Sequence, residues 1–131
     1  MPSSDQSPEL KTGISEKSTP SETLLLPDES PTLSWLVALN APRRGKLYRI
    51  KKNGMTIGRA DDNDIILDDE TVSRHHARLL VEPGIGYPQI YIQDLASVNG
   101  VLVNGERVVR QLLHDEDHIA IGNVKFAFKH L

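Results

Sequence analysis

The stretch TVSRHHARL, residues 71–79, sets a serine, two arginines and two adjacent histidines at the head of an apolar run. Residues of these types can serve a nucleophile, hold a metal ion or bind an anion. A metal is disfavoured by geometry. If Ala77, Leu79 and Val81 begin a strand near His76, neighbouring side chains point to opposite faces, so His75 and His76 cannot easily share an ion. His114, His118 and His130 offer no close ligand pairing, and the chain has no cysteine. Nucleophilic catalysis is disfavoured by the neighbours of Ser73. VSRHH is not the Gly-x-Ser-x-Gly turn of a serine hydrolase, and a guanidinium is a donor that cannot act as a base.

Anion binding fits better when three segments are read together. Gly58-Arg59 ends the apolar run MTIG, Ser73-Arg74 precedes the next long apolar run, and Ser97-Val98-Asn99-Gly100 forms a third polar cluster. Each supplies short donors or a guanidinium at the end of an apolar run. A phosphorylated side chain carries about −1.5 to −2 charges and three acceptor oxygens, which matches one or two arginines and two serine hydroxyls.

The elements that must position these residues are short. Trp35, Val37 and Leu39 alternate, as do Ala77, Leu79 and Val81, then Ile90 and Ile92, Ile119 and Ile121, and Val124, Phe126 and Phe128. A period of two over short runs predicts strands. Asn-Gly at 53–54, 99–100 and 104–105, and Gly-Asn at 122–123, supply turns. No stretch carries a capped helical stripe, so the expectation is an all-β sandwich or barrel with its function on the loops at one end.

Composition narrows the class. The 131 residues are 38% hydrophobic and 25% charged, enough for one soluble domain and a tail. Residues 1–32 are rich in Ser, Thr, Pro and Glu, hold six acids against two lysines and contain no aromatic residue. Such a segment cannot offset its ordering entropy by apolar burial and is expected to be disordered, with the folded domain at 33–131. The remainder is almost neutral, which argues against nonspecific nucleic-acid binding. The densest basic cluster, Arg43, Arg44, Lys46, Arg49, Lys51 and Lys52, is read as a solvated face rather than an RNA or lipid patch. The apolar runs are far shorter than the roughly 20 residues of a membrane span, and MPSSDQSPE lacks the basic start of a secretory signal. A cytoplasmic protein without membrane contact is expected. Asp62, Asn63 and Asp64 read as a loop with local side-chain hydrogen bonds, since the Gly and Glu positions of a calcium-binding loop are missing.

The run GRADDNDIILDDETVSRHHARL at 58–79, followed by DLASVNGVLVNGERV at 94–108, resembles the forkhead-associated (FHA) domain. The matching blocks are Gly-Arg, Asn-Asp-Ile, Ser-Arg-x-His, Asp-x-x-Ser-x-Asn-Gly and a further Asn, here Asn104. The resemblance implies a sandwich of about eleven strands whose loops bind phosphothreonine in extended peptides, without catalysis and without a cofactor. It gives Arg59 to the phosphate or the adjacent peptide backbone, Ser73 and Arg74 to the phosphate, and Asn99 to the peptide main chain. Ser97 and the Val98 backbone form the pocket wall, while Gly58, His76, Gly100 and Asn104 give structural support and His75 is exposed. Glu70, Thr71, Val72 and the 121–125 turn are assigned to reading the residue three after the phosphothreonine. Val98 departs from relatives with Ser or Thr there, which removes one phosphate bond that Arg74 can replace. Glu116 stands in a turn where Gly is common.

A phosphothreonine-binding adaptor in Ser/Thr kinase signalling is therefore expected, its partner a phosphothreonine-containing protein or its own tail phosphorylated at Thr19 or Thr23. The alternative is a phosphate-independent FHA scaffold that binds through a face of the sandwich.

Overall fold

A computed structural model describes residues 31–131, so residues 1–30 of the expected disordered tail, with Thr19 and Thr23, lie outside the described residues. The described chain is all strand, arranged as β1 (Pro31–Ala38), β2 (Leu47–Lys51), β3 (Met55–Gly58), β4 (Ile65–Ile66), β5 (Ala77–Glu82) and β6 (Gln89–Asp94), then β7 (Val101–Val103), β8 (Glu106–Val108), β9 (Arg110–Leu112), β10 (His118–Ile121) and β11 (Val124–His130). One sheet has six strands in the order β2-β1-β11-β10-β7-β8, and the other has five in the order β4-β3-β5-β6-β9. This is the expected all-β sandwich of eleven strands. Its first strand starts at Pro31, two residues before the expected boundary, so Thr32 belongs to the sandwich and not to the tail.

The core forms where alternating side chains of both sheets face each other. Ile57, Leu79 and Ile92 come from one sheet, and Leu36, Ile119, Ile121, Phe126 and Phe128 from the other; all are buried. Burial of each such side chain contributes about 1.5–3 kcal/mol relative to exposure.

In β1 the alternation marks a strand but selects the outer face. Thr32, Ser34, Leu36 and Ala38 are buried, whereas Trp35 and Val37 are only half-buried and Leu39 is exposed. The inner face tolerates two hydroxyls because each has a partner. Thr32 Oγ1 donates to the Ile50 carbonyl at 3.0 Å, and Ser34 Oγ lies 2.7 Å from His130 Nδ1.

Strand register decides where the loops gather. Ile57 pairs with Ala77 and Ala77 with Asp94, all three antiparallel neighbours at the same height of the sheet. The chain therefore leaves β3, enters β5 and leaves β6 at one end. In the other sheet Val101 pairs with Ile121 and Ile121 with Val124, which brings the 122–123 turn to the end where β7 begins. Asn40 links the β1–β2 loop to the same turn, its side-chain amide donating to the Asn123 carbonyl at 2.7 Å.

Candidate functional site

The loop between β4 and β5 is the centre of this cluster. It is docked against the end of β3 by backbone bonds: the Arg59 amide donates to the Ser73 carbonyl at 3.0 Å and the Ala60 amide to the Arg74 carbonyl at 3.1 Å. So close an approach requires glycine at 58. A Cβ there would stand 2.2 Å from the Arg74 carbonyl oxygen and 2.8 Å from Asn63 Nδ2. Asn63 is not the purely local loop residue its sequence context implies. It is buried, and Nδ2 donates to both Ala60 O and Arg74 O at 2.8 Å, clasping the two loops together.

These contacts aim Arg59. Its Nε donates to the Val72 carbonyl at 3.0 Å, which fixes the side chain along the Ser73 loop while the residue stays exposed. Arg59 and Arg74 are both exposed, and their guanidinium groups are without an ion-pair partner among the described residues.

Ser73 is held from behind by His76, which is fully buried. The Ser73 amide donates to His76 Nδ1 at 3.0 Å, and His76 Nε2 lies 2.8 Å from the Gly100 carbonyl. An acceptor Nδ1 facing an N–H and a carbonyl facing Nε2 together assign the neutral tautomer with its proton on Nε2. One imidazole therefore joins the Ser73 loop to the β6–β7 loop. His75 points away, exposed, with Nε2 3.0 Å from Asp62 Oδ1. The two histidines do not converge on a common ion.

The third loop, between β6 and β7, approaches from the other side. The Val98 amide donates to Ser73 Oγ at 3.0 Å, which occupies one acceptor position and leaves the serine O–H to be donated elsewhere. Asn99 is exposed and donates Nδ2 to the Thr71 carbonyl at 2.8 Å. Ser97 departs from its expected place in the wall. Its buried hydroxyl donates to Asp94 Oδ1 and accepts from the Gly100 amide at 2.8 Å, so it braces the loop from within. The Val98 side chain is 82% exposed at the rim and offers nothing to an anion.

Gly100, at φ 80°, forms the turn that carries Asn99. Asn104 lies elsewhere. It sits at the far end of β7, where Nδ2 donates to Asp117 Oδ1 at 2.9 Å and Oδ1 accepts from the His118 amide at 2.9 Å. It fastens the β7–β8 turn to β10 and touches none of the three loops.

Asp69 and Asp94 are not among the expected site residues, and Asp69 reads from the sequence as part of a solvated acidic loop with Asp68 and Glu70. Asp69 Oδ1 accepts the Thr71 amide at 2.9 Å and also the Thr71 hydroxyl; these bonds hold the Asp69 carboxyl below the usual aspartate range. The signal was present in Asp-x-Thr and Asp-x-x-Ser, spacings at which a carboxylate caps its own turn.

Arg59, Arg74 and Asn99 are exposed on these loops and Ser73 is half-buried among them, with Val98 and Glu70 also exposed. Two half-open clefts lie away from these loops. They measure about 250 and 270 Å³ and share Tyr87, Pro88, Ile90 and His130 near the start of β1 and the end of β11. No group of three or more His, Cys, Asp or Glu among the described residues is arranged to hold a metal ion. Among the described residues no helix is long and apolar enough to cross a membrane.

The family described as the FHA domain matches residues 55–122. Over 87 residues the chain is 44% identical to an ABC transporter ATP-binding/permease protein of Mycobacterium tuberculosis, covering 66% of this chain and 10% of the transporter. It is 34% identical over 120 residues to the oxoglutarate dehydrogenase inhibitor of Corynebacterium glutamicum, covering 92% of this chain and 78% of the inhibitor. The solved structure of Mycobacterium tuberculosis EmbR in complex with a low-affinity phosphopeptide superposes with TM-score 0.66 and 37% identity, over 76% of this chain and 24% of that one. The chain thus spans a small part of the transporter and of EmbR and most of the inhibitor.

Proposed function

The chain belongs to the FHA domain family, and from that premise we propose that it is a phosphothreonine-peptide-binding adaptor in Ser/Thr kinase signalling, without catalysis of its own. The observation that carries this reading is the docking of Arg59 on the Ser73 loop, through its amide to Ser73 and its Nε to Val72. That contact holds the Arg59 side chain against the residue before Ser73, which supports a charged donor and a hydroxyl donor acting on one group, with Asn99 bonded to Thr71 of the same loop.

A dianionic ester meets there two guanidinium groups and one O–H. Charge-assisted hydrogen bonds contribute about 1.5–3 kcal/mol each. Three of them amount to about 4.5–9 kcal/mol before the cost of ordering an extended peptide, which sets micromolar affinity, about −8 kcal/mol, as the upper bound for these bonds alone. No group in the site is arranged as a general base toward Ser73, whose nearest imidazole, His76, is committed to backbone partners. The complex of EmbR with a phosphopeptide supports the same reading for this chain.

Isothermal titration with the best peptide from an oriented phosphothreonine library tests it. Micromolar binding that disappears with the unphosphorylated peptide and with Arg59→Ala is expected; equal binding of both peptides would overturn the reading. The same chemistry would accept Thr19 or Thr23 of the tail once phosphorylated, and phosphorylation that left the amide spectrum of the three loops unchanged would exclude that arrangement.

A second reading has one observation in its favour. On the outer face of the six-stranded sheet Val37 stands opposite Leu47, with Trp35 on the same side of β1 and the exposed Leu39 just beyond its end, and Leu47 is 63% exposed. A scaffold that used this face would bind its partner equally well after Arg59→Ala.

A further inference from the structure

Thr71 carries more of the site's internal hydrogen bonding than any residue facing a ligand. Its amide donates to Asp69 Oδ1 at 2.9 Å, and its hydroxyl donates to the same oxygen. That hydroxyl accepts the Asn123 amide at 2.8 Å, and the Thr71 carbonyl accepts Asn99 Nδ2 at 2.8 Å. Asn123 is held in turn by Asn40, whose Nδ2 donates to the Asn123 carbonyl at 2.7 Å and whose Oδ1 accepts the Lys125 amide at 3.1 Å. The result is a continuous polar strut from Asp69 through Thr71 and Asn123 to Asn40. It crosses from the loops of one sheet to those of the other.

We propose that Thr71 is a positioning residue for the peptide site, setting Asn99 through its carbonyl and locking the Ser73 loop to the β10–β11 turn through its hydroxyl. The proposal rests on the phosphopeptide reading above. It also replaces the expectation that residues 70–72 read a peptide side chain. A hydroxyl has one proton, and that of Thr71 is given to Asp69. Val72 is 1% exposed and faces the core. Of the three, Glu70 alone is exposed.

The polarity of Asn99 follows from the same contact. Because Nδ2 donates inward to Thr71, Oδ1 is the atom presented outward, and its complement on an extended peptide is a backbone N–H. The approach of the turn to Thr71 is close. A Cβ on Gly122, which sits at φ 58°, would lie 2.5 Å from Thr71 Oγ1 and 2.6 Å from Thr71 O. The turn thus has no room to shift toward the loop, and the Thr71 hydroxyl keeps it from moving away.

The test compares Thr71→Val, which keeps the shape and loses the hydroxyl, with Thr71→Ser, which keeps the hydroxyl. Each is titrated with the selected phosphothreonine peptide beside the wild type and Arg59→Ala. Thr71→Val is expected to bind about tenfold more weakly and Thr71→Ser within about twofold of wild type, since a factor of ten corresponds to the loss of one to two hydrogen bonds. Asp69→Asn keeps the Thr71 side chain and its contact with the turn but weakens its acceptor; it carries the comparison if Thr71→Val does not fold, with a loss of about threefold. Thr71→Val binding like wild type, Thr71→Ser binding as weakly as Thr71→Val, or unchanged affinity in Asp69→Asn would each overturn the positioning role. If wild type and Arg59→Ala bind alike, the phosphopeptide reading fails first and the proposal with it. If Arg59→Ala loses binding and Thr71→Val does not, only the proposal fails.

Discussion

The backbone amide of Arg59 and the carbonyl of Ser73 are joined at 3.0 Å, although the residues lie on loops that leave and enter different strands. The loop that receives the Arg59 amide also directs the Arg59 side chain and is itself braced from behind. Val72, one residue before Ser73, takes the guanidinium Nε, and His76, three residues after it, takes the Ser73 amide.

Removal of the guanidinium should therefore affect binding far more than folding. Arg59→Ala is expected to lower phosphopeptide affinity at least about 100-fold, the worth of two charge-assisted bonds, with little change in Tm because the residue is exposed. Arg59→Lys keeps the charge and loses the planar fork, and should recover only part of the affinity. Titration calorimetry and thermal melts on the same samples separate the two effects.

His76 predicts the opposite balance. His76→Ala leaves the Ser73 amide and the Gly100 carbonyl without partners inside the fold and opens a cavity. At about 1–3 kcal/mol for each orphaned group, the loss is roughly 3 kcal/mol or more, and Tm should fall on the order of 15 °C. A melt within a few degrees of wild type would show that the imidazole does not bridge the two loops.

Gly58→Ala tests the close approach. The new methyl would meet the Arg74 carbonyl at 2.2 Å, backbone that cannot rotate away, so the two loops must part. Both stability and phosphopeptide affinity should drop together. Gly105→Ala, whose added Cβ meets nothing within 4 Å, serves as a comparison in which only the strain at φ 87° is paid and affinity is kept.

Acid should loosen the strut at Asp69. The Thr71 hydroxyl and amide hold its carboxyl below the ordinary value of 3.8. A depressed folded-state pKa means that the contribution to stability is fully present above the unfolded value and is lost as pH falls through the folded one. Wild type should thus be more stable than Asp69→Asn at neutral pH, and the gap should close below about pH 4. A gap that is constant from pH 7 to pH 2 would remove the carboxylate from the account.

Much of this molecule was legible in its residues because the signals were local. Ile119 with Ile121 and Leu79 with Ala77 announce strands by their spacing, and the Asn-Gly pairs announce the turns between them. The two-residue β4 and three-residue β8 and β9 are too short to show a period, and only pairing with neighbours makes them strands. β1 was readable as a strand but not for its inner face, since Thr32 and Ser34 are buried there by partners distant in sequence.

The site divides in the same way. Arg59, Ser73 and Asn99 stand out because their types suit an anion and their spacing puts them at strand ends. The inward turn of the Ser97 hydroxyl, the clasp of Asn63 and the strut through Thr71 depend on which loop lies beside which, and no single stretch of chain contains that fact. Glu116 is a related case: it occupies φ 75°, a conformation that favours glycine, in the turn where the FHA resemblance places one.

The convergence of three loops on one phosphate is tested most directly by the backbone amide spectrum of the full chain during titration with the selected phosphothreonine peptide. Large shifts are predicted at 59–60, 73–74 and 98–99, above all at Val98, whose amide now donates to Ser73 Oγ, and the unphosphorylated peptide should leave all of them in place. Shifts spread instead over the outer face around Val37 and Leu47, or indifferent to the phosphate, would contradict the account.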